Sequence, residues 1–106
     1  MLKLISKLFG TGNSDELKQI INDNAFLVDV RTPEEYKAGH VQGSVNIPLH
    51  SISNNLKKFK DKKHIVVFCR SGMRSSQAKS ILEQNGFKNV INGGTWNKIN
   101  QIKTQL

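Results

Sequence analysis

At 106 residues and 11.9 kDa, the chain has room for one domain with one ordinary core. Sixteen Lys and Arg against eight Asp and Glu leave a net charge of +8, and 37% apolar with 23% charged residues is a globular composition rather than a disordered one. No apolar run reaches membrane-spanning length, and the single cysteine, Cys69, excludes an internal disulfide and a cysteine-based metal cluster within one chain. The positive excess suits an anionic partner, nucleic acid first among them, although solubility is the favoured reading.

The segment Met1–Phe9 is apolar but broken by Lys3 and Lys7, and it lacks the uninterrupted core and cleavage site of a secretory signal. A cytoplasmic protein without a membrane span is therefore expected. Leu2, Ile5, Leu8 and Phe9 share a face if the segment is helical, which fits a helix tucked onto its own domain better than a membrane-surface contact.

After the break at Gly10–Asn13, Ser14 is placed to cap a helix with Asp15 and Glu16 in its first turn and Leu17, Ile20 and Ile21 at helical spacing. Ala25–Val30 reads as a short buried strand. Thr32, Pro33 and Glu35 spell a capping box with proline in the first helical position, and Gly39 ends that helix. An extended piece follows around Val45–Ile47, held by Pro48, and then a helix from about Ser51 with Ile52, Leu56 and Phe59 on its inner face. Lys57, Lys58, Lys60, Lys62 and Lys63 crowd its end and the next turn. Cations suit a helix C-terminus, and no aromatic residues interleave with them for base stacking, so no nucleic-acid partner is expected.

His64–Cys69 is the clearest strand, an apolar run suited to the middle of a parallel sheet. A helix is expected from Ser75, with Ala78, Ile81 and Leu82 inward, Gly86 as its stop and Phe87 over its end. Asn89–Ile91 reads as a last short strand, and Trp96, Ile99 and Ile102 line a final helix. Strands alternating with helices argue for an α/β sandwich with a parallel sheet covered on both faces.

The stretch Cys69-Arg-Ser-Gly-Met-Arg74, then Ser75, joins the central strand to its helix, where ligands bind in open α/β sheets. A short loop turning into a helix aims successive N–H groups at one point, and Gly72 permits the tight turn. Arg70 and Arg74 add cations, and each of these features is expected to lower the Cys69 pKa. A buried cysteine that merely ends a strand would not account for two arginines and a glycine around it.

Together with Leu27–Arg31, Glu35-Tyr36, Gly39–Gly43, Asn46–Pro48, Gly86-Phe87, and Gly93-Gly94 with Trp96, this loop resembles the single-domain rhodanese (thiosulfate sulfurtransferase) family. The resemblance covers about residues 14 to 103. It implies a three-layer α/β/α sandwich with a parallel sheet of about four to five strands over residues 14–106, behind an N-terminal segment, residues 1–13, that is helical or supplies an edge strand.

It also implies a reaction. Cys69 takes the outer sulfur of thiosulfate or a related small anionic donor as a persulfide and passes it to cyanide, a thiol or a protein acceptor. Arg70, Ser71, Gly72, Met73, Arg74 and Ser75 would hold the substrate, with no cofactor. Asp29 would brace backbone or an arginine and Arg31 would pair with Glu35, all three in support. His40, His50 and His64 match no metal-ligand spacing, and His40 is expected to bond to backbone, so no metal is expected.

Two other readings compete. Phosphatases and arsenate reductases of this fold use a Cys-x5-Arg loop that encircles a tetrahedral oxyanion, whereas the spacing here is Cys-x4-Arg, which leaves room for one sulfur. A noncatalytic docking module of the family commonly lacks the cysteine, which this chain keeps. Two departures from the family pattern, Asn92 where an apolar residue is common and Trp96 set close to Gly93-Gly94, read as matters of packing rather than of the loop.

Overall fold

The structure is a computed structural model and describes residues 14–105. Expectations for residues 1–13 lie outside the described residues.

Four parallel strands form one sheet in the order β2-β1-β3-β4: β1 (Phe26–Asp29), β2 (Val45–Asn46), β3 (Ile65–Cys69) and β4 (Val90–Thr95). The helices are α1 (Ser14–Asn22), α2 (Pro33–Ala38), α3 (Met73–Gln84) and α4 (Trp96–Gln105). Among the described residues no helix is long and apolar enough to cross a membrane.

Side chains alternate across a strand, and that period divides the core in two. Val28, Val30, Ile65, Val67, Cys69 and Val90 face Ala78 and Leu82 of α3 together with Ile52 and Phe59. Leu27, Val66 and Phe68 face Leu17 and Ile21 of α1 and Ile99 and Ile102 of α4. The sheet is thus covered on both faces, the three-layer arrangement expected. β3 is buried at all five positions because it lies between two strands and two layers.

Several boundaries differ from the sequence reading. The helix expected from Ser51 is instead two 3-10 turns, Leu49–Asn54 and Leu56–Phe59. Asn55 between them sits at φ −127°, ψ 26°, outside helical geometry, and its Nδ2 donates to the Ser51 carbonyl, so the α-helical ladder is not continued. The turns still bury Ile52 and Phe59. α3 starts at Met73 rather than Ser75, and it ends as expected: Gly86 N–H donates to Glu83 O and Phe87 N–H to Leu82 O, a Schellman closure.

The last strand is longer than Asn89–Ile91 and runs through both glycines to Thr95. Its register slips by one residue: Val67 pairs with Asn92 but Phe68 pairs with Gly94, leaving Gly93 as the extra residue of a bulge. A side chain at Gly93 has no space, since a Cβ there would lie 2.8 Å from Val66 Cγ1 and 2.9 Å from Ile99 Cδ1.

Candidate active site

The site begins at the carboxyl end of β3. Cys69 is fully buried on the α3 face, and the chain returns above it through Arg70 and Ser71 to Gly72, the N-cap of α3. Gly72 has φ +98°, the left-handed conformation that a side chain disfavours. That turn aims its N–H back at the strand, where it donates to Cys69 Sγ across 2.9 Å. Ser75, also buried, brings its hydroxyl within 3.6 Å of the same sulfur.

Burial pushes the Cys69 thiol pKa up, but hydrogen bonds from the Ser75 side chain and from the backbone of Ser75, Gly72 and Ser71 outweigh it, so the pKa falls below that of an ordinary thiol. The expected direction holds, and of the expected causes it is the donors aimed at the sulfur, joined by the Ser75 hydroxyl, that lead, not the arginines. Arg70 points into solvent. Arg74 feels the Cys69 charge but spends most of its own on a carboxylate, donating from Nη1 to Glu35 Oε1 at 2.7 Å and from Nη2 to Glu35 Oε2 at 3.1 Å.

That pair corrects the expectation for Arg31. Its partner is Asp29, not Glu35. Arg31 Nε lies 2.9 and 3.0 Å from the two Asp29 oxygens, Nη2 donates to Oδ2 at 2.7 Å, and the Arg31 backbone N–H donates to Oδ1 at 3.0 Å. The guanidinium also donates to Gly39 O at 2.7 Å and lies over the Trp96 ring, 4.5 Å from its centroid. With both partners buried, the unit ties the end of β1 to the end of α2 and the start of α4. Glu35 is engaged locally as well as with Arg74, since Thr32 and Glu35 form the capping box.

Asn92 is the residue the sequence reading misplaced. The expectation of a packing role fails: its Oδ1 accepts from Ser75 Oγ at 2.7 Å, in the first turn of α3, and its Nδ2 donates to Gly72 O at 3.3 Å, in the loop. A polar residue at a position suited to an apolar one was the available signal. His40 lies outside this network: its Nδ1 is 2.9 Å from Tyr36 O and its ring stacks on Tyr36. Among the described residues no three His, Cys, Asp or Glu side chains converge as a metal site would require.

The family model for the rhodanese-like domain matches residues 13–98, most of the chain and all of the sheet. The protein belongs to the rhodanese-like domain family. Within it, the chain is 41% identical over 69 residues to the thiosulfate sulfurtransferase PspE of Escherichia coli K12, a match covering 63% of this chain and 66% of that one. It is 35% identical over 82 residues to a sulfurtransferase of Allochromatium vinosum, covering 76% and 77%. Among solved structures it resembles a rhodanese with anions from E. coli, at a TM-score of 0.64 and 37% identity over 70% of this chain and 89% of that one. The rhodanese-like fold here thus carries, at the end of its central strand, a buried cysteine under a short ring of donors.

Proposed function

We propose that the protein is a sulfurtransferase that carries a sulfane sulfur on Cys69, taking it from thiosulfate or a related anionic donor. The observation that supports this most directly is the convergence of the Gly72 N–H and the Ser75 hydroxyl on Cys69 Sγ within a Cys-x4-Arg loop. Donors at that point favour a thiolate before reaction and an anionic terminal sulfur after it. The sulfurtransferase relatives favour the same chemistry.

In the first half-reaction the Cys69 thiolate attacks the outer sulfur of thiosulfate. A sulfur–sulfur bond forms to Cys69, the bond to the inner sulfur breaks, and its electron pair leaves with sulfite. In the second, cyanide or a thiolate attacks the terminal sulfur and the pair returns to Cys69, regenerating the thiolate. Arg70, exposed and beside the nucleophile, is the cation suited to draw in the anionic donor, because Glu35 already holds Arg74. Ser71, Gly72 and Met73 form the rim, and Met73, 75% exposed, offers an apolar contact to a larger acceptor. Cys69 itself has no exposed surface, so the rim must part for the donor to reach the sulfur.

Mass measurement of the intact protein after incubation with thiosulfate tests the reading. One added sulfur atom on the wild type and none on Cys69→Ser is the expected result; no gain, or equal gain by the variant, overturns it. The same preparation assayed with cyanide and with a protein thiol separates simple thiosulfate turnover from a protein-to-protein relay.

A further inference from the structure

Asn92 pairs with Val67 immediately before the bulge residue Gly93 of β4, on the same face as Val90, toward α3 and Cys69. One of its bonds is local to the bulge: Oδ1 accepts from the Gly94 N–H at 3.0 Å, across the extra residue Gly93. The bond to Ser75 is not needed for that.

A serine hydroxyl has one hydrogen. Three acceptors lie around Ser75 Oγ: Asn92 Oδ1 at 2.7 Å, Gly72 O at 3.0 Å and Cys69 Sγ at 3.6 Å. The first is the best placed for an O–H donor. With that hydrogen on Asn92, the oxygen of Ser75 presents a lone pair to the sulfur, a partner for a thiol S–H but not for a thiolate. Ionised Cys69 needs the opposite arrangement, with the hydroxyl hydrogen turned from Asn92 to sulfur. Asn92 Oδ1 keeps its bond from Gly94 in both states, so the turn leaves no carbonyl stranded.

We propose that Asn92 is a positioning residue for the nucleophile: its side-chain carbonyl competes with Cys69 for the Ser75 hydroxyl hydrogen and thereby sets how much of Cys69 is thiolate. On ionisation the Cys69 proton goes to water, while Ser75 keeps its own and only rotates. The charged groups near the sulfur are the same whether or not Asn92 is present. Arg74 of α3 is the one that feels the Cys69 charge; it is paired with Glu35 of α2 and also feels Asp29 of β1, which is itself paired with Arg31, and Arg70 follows Cys69 in the loop. The 3-10 turn Leu49–Asn54 contributes only His50, which is exposed, and β4 has no titratable side chain.

The inference rests on the proposed sulfur transfer only for its effect on rate, and the titration of Cys69 stands apart from it. Ultraviolet absorbance of the thiolate followed against pH in the wild type, Asn92→Leu, Ser75→Ala and the double variant is the test. Asn92→Leu is expected to lower the midpoint by about 0.5 to 1 pH unit, the worth of one hydrogen bond. Ser75→Ala should raise it, and in the Ser75→Ala background Asn92→Leu should shift nothing. A purely structural Asn92 would loosen the donors around the sulfur when removed and move the midpoint up. An upward or absent shift in Asn92→Leu, or a shift that persists without the Ser75 hydroxyl, overturns the proposal. Asn92→Ala, which has no carbonyl acceptor and cannot overfill the bulge, gives the same reading if Asn92→Leu does not fold.

Discussion

Arg74 and Glu35, thirty-nine positions apart, meet through two hydrogen bonds of 2.7 and 3.1 Å and lock the first turn of α3 to α2. The Arg74 guanidinium, followed by the Thr32 backbone N–H, holds the Glu35 carboxyl down at about 2. Because that value lies below the ordinary carboxylate one, the pair stabilises the fold fully above about pH 4.5 and loses its effect as pH falls toward 2. Both side chains are about one third exposed, so solvent screening keeps the contribution small. Glu35→Gln is expected to cost about 0.5 to 1 kcal/mol at neutral pH. Its stability should also fall less steeply than that of the wild type between pH 4.5 and 2, as denaturant titration at several pH values would measure.

Gly72→Ala should damage the site more than the fold. A side chain at φ +98° costs about 1 to 2 kcal/mol, and relief of that strain would turn the 72 N–H away from Cys69. The expected outcome is a modest loss of stability together with a raised Cys69 thiol pKa, read by the pH dependence of iodoacetamide alkylation. An unchanged pH midpoint in a folded variant would mean that the Gly72 bond does not stabilise the thiolate.

Asp29→Asn would leave the Arg31 guanidinium buried without its counter-ion. Such removals cost about 3 to 5 kcal/mol, because the remaining charge loses compensation it cannot regain from water. The bond to Gly39 O and the contact with Trp96 remain, which places the expected loss near the lower end, at about 3 kcal/mol, in equilibrium unfolding.

Gly93→Ala tests the bulge. The added methyl would press on Val66 Cγ1 and Ile99 Cδ1, both on fully buried side chains of a close-packed core, so something there must shift. Destabilisation of about 1 to 3 kcal/mol is expected from overpacking, measurable by chemical denaturation. Because Asn92 and Gly94 flank the strained residue, a shift in Cys69 reactivity should accompany it.

What the sequence determined by itself were the features written in neighbouring residues. The capping box at Thr32 and Glu35, the buried run of β3, the Schellman closure at Gly86 and the Cys69–Ser75 loop each depend on a few consecutive positions and on local backbone preference. That loop, together with the other short motifs from Leu27 to Trp96, also carries the resemblance that the family match bears out. Tertiary structure decided which partner each charged or polar group took. Arg31 and Arg74 both had carboxylates within plausible reach, and only the juxtaposition of β1, α2 and α3 gives Asp29 to the first and Glu35 to the second. The 3-10 turns replaced an α-helix because burial of Ile52 and Phe59 could be met without continuous helical bonding. Asn92 reached Ser75 and Gly72 only because a bulge formed on the strand beside them. Hydrogen bonds and ion pairs between distant segments have no sequence period, so their choice of partner is made by the packing that brings those segments together.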